Sequence, residues 1–374
     1  MLIKNGRVFT SRNSFEELDI RLEQDILEIG SIEGPPDIDA QGCYVIPGLI
    51  DVHTHGAAGC DAGDGSAEGL AAMSRYYAQN GVTTFCAATM THKEEKLERA
   101  LRAIGEFERP ENGSHCAGVY LEGPFLSFEK RGAHAAEYLL APDIELFERL
   151  NRASGNKVKI VAVAPELPRA AGFIKHVSQS CRVSIAHTTA DYDTAMRAIN
   201  LGASQVTHLF NGMNGFLHRE PGPAGAALDG GIDVELICDG FHIHPSVVRG
   251  VFAMFKDRVL MISDSLKWAG LPDGSYELDG RPVTVKGGRA ALPDGTLAGS
   301  CISLLQALQN VVAWGIPLEQ AVASATILPA RAIGIDNSFG SIEVGKRADL
   351  LILDSRLSLV KTVIDGRVVE PVHL

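Results

Sequence analysis

Eight short apolar runs, all but one closing on a polar side chain, constrain the fold of this 374-residue chain more than any other feature. In order they are Leu49–His55, 83–88, 118–121 ending on Glu122, 158–164 ending on Pro165-Glu166, 183–186 ending on His187, 205–207 ending on His208, 234–238 ending on Asp239, and 259–263 ending on Asp264. The runs are rich in β-branched residues and lack strict alternation, which suits parallel strands buried on both faces. Between most of them lie helical spacings, such as Leu70, Met73 and Tyr77 closed by Gly81, or Leu97, Ala100, Leu101 and Ile104 before Pro110. Buried helices do not explain the runs, because most are too short and are flanked by Gly or Pro. Eight strand–helix units over about 250 residues predict an α/β fold, a TIM (β/α)8 barrel whose active site lies at the carboxyl ends of the strands.

That placement gives the polar ends a chemical meaning. His53 and His55, two apart on one strand, share a face, and neutral imidazole nitrogens are favoured ligands for Zn²⁺ and Fe²⁺. Glu122, His187 and His208 form a three-ligand set with room for water, the pattern of an open catalytic metal site. His53 and His55 are placed to hold a second ion beside it. Asp264, last in the series, is the group expected to take a proton from the attacking water and give it to a leaving amine. The residues therefore point to metal-assisted hydrolysis of an amide or a related bond. His92, His115, His176, His218, His244 and His373 carry no such argument and read as surface or supporting residues.

Composition narrows the alternatives. Hydrophobic residues make up 45% and charged residues 21% of the chain, enough for a full core and not a disordered composition. A formal charge of −12 argues against nucleic acid or an anionic membrane as the main partner. No apolar stretch reaches the roughly 20 residues that span a bilayer, and the amino terminus lacks a signal-peptide pattern. Seven cysteines without CxxC spacing fit reduced thiols, so the expected location is cytoplasmic. Strand-like segments at both ends, 2–9, 25–30 and 43–47 with 340–345, 349–354 and 362–369, are each too few for a stable sheet. They predict one small composite β-sandwich domain from residues 1–48 and 337–374, with the barrel over 49–336, and Asp365-Gly366 as a hairpin turn.

The motifs Pro47-Gly48-Leu49-Ile50-Asp51-Val52-His53-Thr54-His55-Gly56, Leu121-Glu122-Gly123-Pro124-Phe125-Leu126, Lys130-Arg131-Gly132-Ala133-His134 and Ala186-His187-Thr188 occur in that order. Thr207-His208-Leu209-Phe210-Asn211-Gly212-Met213, Asp239-Gly240-Phe241-His242, Ser263-Asp264 and Gly295-Thr296-Leu297-Ala298-Gly299-Ser300 follow. Together they resemble the amidohydrolase superfamily, most closely the N-acetylglucosamine-6-phosphate deacetylases, over nearly the whole chain. The resemblance implies a catalytic divalent metal on Glu122, His187 and His208, Zn²⁺ or Fe²⁺, one or two ions per subunit, with Asp264 as acid/base and His134 polarising the acetyl carbonyl. It also implies substrate contacts from Ala133, His134, Asn211, Gly212, Arg219, His242, Leu297, Ala298 and Gly299, with Arg219 and His242 nearest the phosphate. An amino sugar phosphate as substrate and a homodimer, whose partner lends the arginine, are expected with it.

Two departures from the family pattern stand out. Asn211-Gly212 replaces the usual Asn-Ala, which is expected to loosen that loop and remove a methyl near the sugar. The bulkier Ser265-Leu266-Lys267-Trp268 follows Asp264. An N-acetylgalactosamine-6-phosphate specialist differs only in one hydroxyl orientation and stays open. A cyclic amidase usually needs a carboxylated lysine at the end of strand four, where this chain has Pro165-Glu166, with Lys157 and Lys159 at the strand's start. A non-catalytic relative would be expected to lack ligands, and none is missing.

Overall fold

The computed structural model describes residues 1–278 and 280–369; His373 lies outside the described residues. The chain opens with β1 (Leu2–Phe9), β2 (Phe15–Leu22), β3 (Ile26–Gly30), β4 (Ile38–Asp39) and β5 (Tyr44–Pro47). The barrel begins at β6 (Leu49–Thr54), from whose end the hairpin β7 (Gly56–Ala57) and β8 (Cys60–Asp61) departs. It continues through β9 (Val82–Thr89), β10 (His115–Leu121), β11 (Val158–Val163), β12 (Arg182–Ile185), β13 (Ala203–Val206), β14 (Asp233–Ile237) and β15 (Val259–Ile262). These eight strands pair in parallel in the order β6-β9-β10-β11-β12-β13-β14-β15, one for each apolar run. Among the intervening helices are α1 (Ala67–Gln79), whose first turn is capped when Ser66 Oγ accepts from Gly69 N at 3.1 Å, and α2 (Glu94–Gly105).

The closing seam decides where the chemistry sits. Between β6 and the end of β15, Asp264 N donates to His53 O (2.9 Å), while His55 N and Gly56 N both donate to Ser265 O (2.9 Å). The bonds that join first strand to last thus set Asp264 beside the histidine pair. Inside the barrel, Ile50, Val52, Cys86, Tyr120, Ile160, Ala162, Ile237 and Ile262 form one packed cluster, and a larger apolar layer separates strands from helices.

Beyond the barrel, an inserted sheet was missed by the sequence reading and the segment 340–345 departs from it. After β15 the chain builds an antiparallel sheet of β16 (Gly274–Leu278), β17 (Arg281–Lys286), β18 (Arg289–Ala291) and β19 (Leu297–Ser300), which packs with Leu266 and Trp268 over the barrel mouth. At the carboxyl end β20 (Leu350–Leu353) pairs antiparallel with β5, and β21 (Leu359–Ile364) and β22 (Arg367–Val368) follow across the Asp365-Gly366 turn. The two ends therefore share one eight-stranded sheet and one core, with Ile3, Ile20 and Val45 against Leu350, Ile352 and Val363. The segment 340–345 is not a strand: left-handed glycines at both ends (φ 87° and 88°) bend it, and only Gly345 N reaches Ile26 O (2.8 Å).

Candidate active site

His187, His208 and Asp264 share a backbone device. Each follows a barrel strand in the left-handed region, with φ of 42°, 26° and 47°, where a non-glycine residue is strained. The reversal turns each side chain inward over the barrel mouth, where Glu122 comes from the end of β10 and His53 and His55 from β6. All six are buried.

Glu122 is the hub. Its Oε1 lies 2.9 Å from His208 Nε2 and 3.2 Å from His187 Nε2; its Oε2 lies 3.1 Å from His55 Nε2 and 3.5 Å from His53 Nε2. Asp264 Oδ1 stands 3.3 Å from His55 Nε2. The imidazole nitrogens crowd one another as well, 3.3 Å between His53 and His55 and 3.1 Å between His187 and His208.

For His53, His187 and His134, supporting bonds fix which nitrogen carries the proton. His53 Nδ1 donates to the Glu235 carboxylate (2.9 Å), and His187 Nδ1 donates to Lys130 O (2.7 Å), so in the neutral rings both Nε2 atoms aim bare lone pairs into the cluster. His134 is set the opposite way. Thr91 N donates to its Nδ1 (3.2 Å), which leaves Nε2–H as a donor 3.4 Å from Glu122 Oε2. Burial lowers His134 to about 4, so the ring is neutral at pH 7.

Apart from the His134 Nε2–H, the cluster is built of imidazole nitrogens and carboxylate oxygens, the donor set of a cation site, and the residues fit a divalent metal. Of three compact groups of possible ligands among the described residues, two lie here: His53, His55 and Asp264; and Glu122, His134 and His187. The donor tautomer removes His134 from the second, and His208 takes its place by distance. Burial alone would hold His55 neutral, yet Asp264 and Glu122 push it up to about 9. The same carboxylates that would hold protons there can hold a metal. Burial also works against the Glu122 carboxylate, but His53 and the histidine hydrogen bonds keep it well below the usual range.

Above the cluster opens a cleft of about 270 Å³, lined by His55, Glu122, Ala133, His134, His187, His208, Asn211, Gly212, His242, Asp264, Leu297 and Gly299 among others. Of the expected contact residues, two lie elsewhere. Ala298 is fully buried in the core of the inserted sheet, because alternate residues of β19 face opposite ways. Arg219 is exposed on the loop after β13, its Nη1 2.7 Å from His218 Nε2, and does not line its own cleft.

Gly212 also differs from expectation. Its φ is 60°, and an added Cβ would lie 2.7 Å from His187 Nδ1. The missing methyl therefore belongs to the packing behind His187, not to the sugar side, and the tight fit does not loosen the loop. Sequence reasoning missed Glu235, Gln205 and Thr91. Glu235 and Gln205 lie within runs and not at their ends, and Thr91 acts largely through a backbone N–H that leaves no sequence signal. Glu166, at the end of β11, is absorbed structurally by Thr189 N (2.6 Å) and Thr189 Oγ1 (3.0 Å).

Comparison with known proteins shows the family. The amidohydrolase family model matches residues 44–369. An N-acetylglucosamine-6-phosphate deacetylase of Vibrio furnissii is 35% identical over 370 residues, spanning 98% of this chain and 89% of that one. An N-acetylgalactosamine-6-phosphate deacetylase of Escherichia coli O157:H7 is 33% identical over 98% of both chains. Among solved structures, a mutant N-acetyl-D-glucosamine-6-phosphate deacetylase of Mycobacterium smegmatis, in complex with N-acetyl-D-glucosamine-6-phosphate, superposes with a TM-score of 0.92 at 30% identity over 99% of both chains.

Proposed function

The chain belongs to the amidohydrolase family, and we propose that it hydrolyses the acetamide of N-acetyl-D-glucosamine 6-phosphate to acetate and D-glucosamine 6-phosphate. The observation that carries this reading is the pairing of one ionised acid, Asp264, with one neutral donor, His134, on either side of the Glu122–histidine cluster. Glu122, His187 and His208 would hold the catalytic ion and His53 with His55 a second, as Zn²⁺ or Fe²⁺. A divalent ion, when bound there, would supply Lewis-acid polarisation of the acetyl carbonyl and would ease deprotonation of water near neutral pH.

The protein's own groups manage the protons. Burial opposes ionisation of Asp264, but its hydrogen bond with His55 holds its pKa below the ordinary value, so it meets the attacking water as a base. It then delivers that proton to the nitrogen as the C–N bond breaks, and the water oxygen remains in acetate. His134 Nε2–H is aimed to donate to the acetyl oxygen as negative charge develops there. Ala133, Asn211, Gly212, Leu297 and Gly299 shape the sugar pocket, and His242 takes the phosphate. Because Arg219 does not reach its own cleft, we assign it to the cleft of a partner subunit in a homodimer. The seven unpaired cysteines support placement in the cytoplasm.

The test is acetate release by metal-replete protein from N-acetylglucosamine, its 6-phosphate and N-acetylgalactosamine 6-phosphate. The highest kcat/KM is expected for the gluco 6-phosphate. The galacto relative motivates the third substrate, and faster turnover of it would replace the gluco assignment. No acetate from either phosphate would overturn the reading.

A further inference from the structure

His242 is held by a single carboxylate, that of Asp239, in an arrangement that decides what the ring can do. Asp239 ends the seventh apolar run, after β14, and its side chain is 1% exposed. One oxygen, Oδ1, accepts from Phe241 N (2.8 Å) and His242 N (2.9 Å), which closes the turn. The other, Oδ2, accepts from His242 Nδ1 at 2.7 Å. A carboxylate accepts only, so Nδ1 must carry a proton. The ring also lines the cleft. A neutral ring with its proton on Nδ1 would offer phosphate a lone pair and repel it; the imidazolium offers Nε2–H and a positive charge.

We propose that Asp239 is a positioning residue that keeps a proton on His242 Nδ1, so that the ring meets a bound phosphate with both nitrogens protonated, and thereby sets the preference of this site for a phosphorylated sugar. The proposal rests on the function given above and adds the device behind its substrate choice. The two oxygens of Asp239 have separate tasks, which makes the test selective. In Asp239→Asn the amide oxygen can keep both turn bonds, while the NH2 replaces the oxygen facing Nδ1. Nδ1 then becomes an acceptor, and the ring turns into the neutral Nε2–H tautomer.

The experiment measures kcat and KM of metal-replete wild type, Asp239→Asn and His242→Gln on N-acetylglucosamine with and without the 6-phosphate. Nitrogen NMR shifts of His242 are recorded alongside. For Asp239→Asn, KM for the phosphorylated sugar should rise about tenfold, the scale of a lost charge-assisted contact, with kcat little changed. The unphosphorylated sugar should be unaffected. The nitrogen spectrum should change from two protonated nitrogens to one, and the double variant should be no worse than His242→Gln alone. Equal losses on both sugars would overturn the proposal in favour of a purely structural turn, as would an unchanged nitrogen spectrum. Wild type inactive on both sugars would overturn the function, while the spectrum would still decide the state of His242.

Discussion

A single methyl at Gly212 would press on the ring that Lys130 O holds in place. With φ at 60° and His187 Nδ1 2.7 Å from the position of an added Cβ, Gly212→Ala must shift the ring, the loop or both. We expect weaker metal retention in that variant, read as ions per chain after dialysis against a graded chelator; retention equal to wild type would mean that the loop yields without moving His187. Asp264→Asn separates metal from proton transfer. An amide cannot carry the proton from water to nitrogen, so turnover should fall by roughly 10²–10⁴-fold while the Glu122, His187 and His208 ligands keep their ion. A loss below tenfold would send the search for the base elsewhere. That these side chains meet was legible in the sequence, because each ends an apolar run and the barrel rule brings strand ends to one face. Their tautomers were not, since these depend on a Lys130 carbonyl, a Thr91 amide and Glu235 inside a strand, contacts made through space between distant segments.

At the level of elements, the eight barrel strands were readable because burial on both faces writes a continuous apolar signature. The inserted sheet was overlooked although Arg281-Pro282-Val283-Thr284-Val285-Lys286 alternates cleanly, and β2 likewise carries alternation in Leu18-Asp19-Ile20-Arg21-Leu22. The joint between barrel and terminal sheet could not be read, for its residues lie far apart in sequence. There Asp365, in the hairpin between β21 and β22, pairs with Arg109 and Arg347, and His115 at the start of β10 lies 3.2 Å from Asp365 and 3.3 Å from Asp349. Burial raises the Asp365 carboxyl, but His115 and the arginines outweigh it and hold it far below the ordinary range. His115 is raised by the two aspartates against its own burial. The lowered Asp365 contributes stability above its unfolded value of about 3.9, lost as pH falls through its folded pKa; the raised His115 contributes below about 6.5, lost as pH rises through its own. The joint should therefore be strongest between about pH 4 and 6.5. Asp365→Asn keeps a residue suited to the left-handed turn at φ 50° and removes the charge. Its melting temperature should lie below wild type at pH 5 to 7, with the gap closing below about pH 4. A gap constant down to pH 3 would show that charge is not the reason.

The whole molecule leaves one requirement of the proposed site outside its own barrel. The cleft gathers His55, Glu122, His187, His208, Asp264 and His242, while Arg219 projects from the exposed loop that also carries Phe216 and Leu217, both about half exposed in a chain of net charge −12. A guanidinium is suited to bidentate phosphate binding, and in two-fold symmetry each loop can reach the partner's cleft as the partner's loop reaches back. Arg219→Ala should then weaken turnover of the phosphorylated sugar by about 2–4 kcal/mol in kcat/KM and barely affect the unphosphorylated one. Mixing distinguishes donation from action within one subunit. Arg219→Ala and Asp264→Asn chains are each poor alone, but in a mixed dimer the Arg219→Ala chain keeps Asp264 and receives an intact arginine from its neighbour. With random exchange half of the dimers are mixed and one of their two sites is whole, so about a quarter of all sites should recover, by the two-fold geometry alone. If Arg219 served its own cleft, no site in any mixture would hold both groups. Exchange verified by mass, with activity at the sum of the separate variants, would therefore sink the donated arginine.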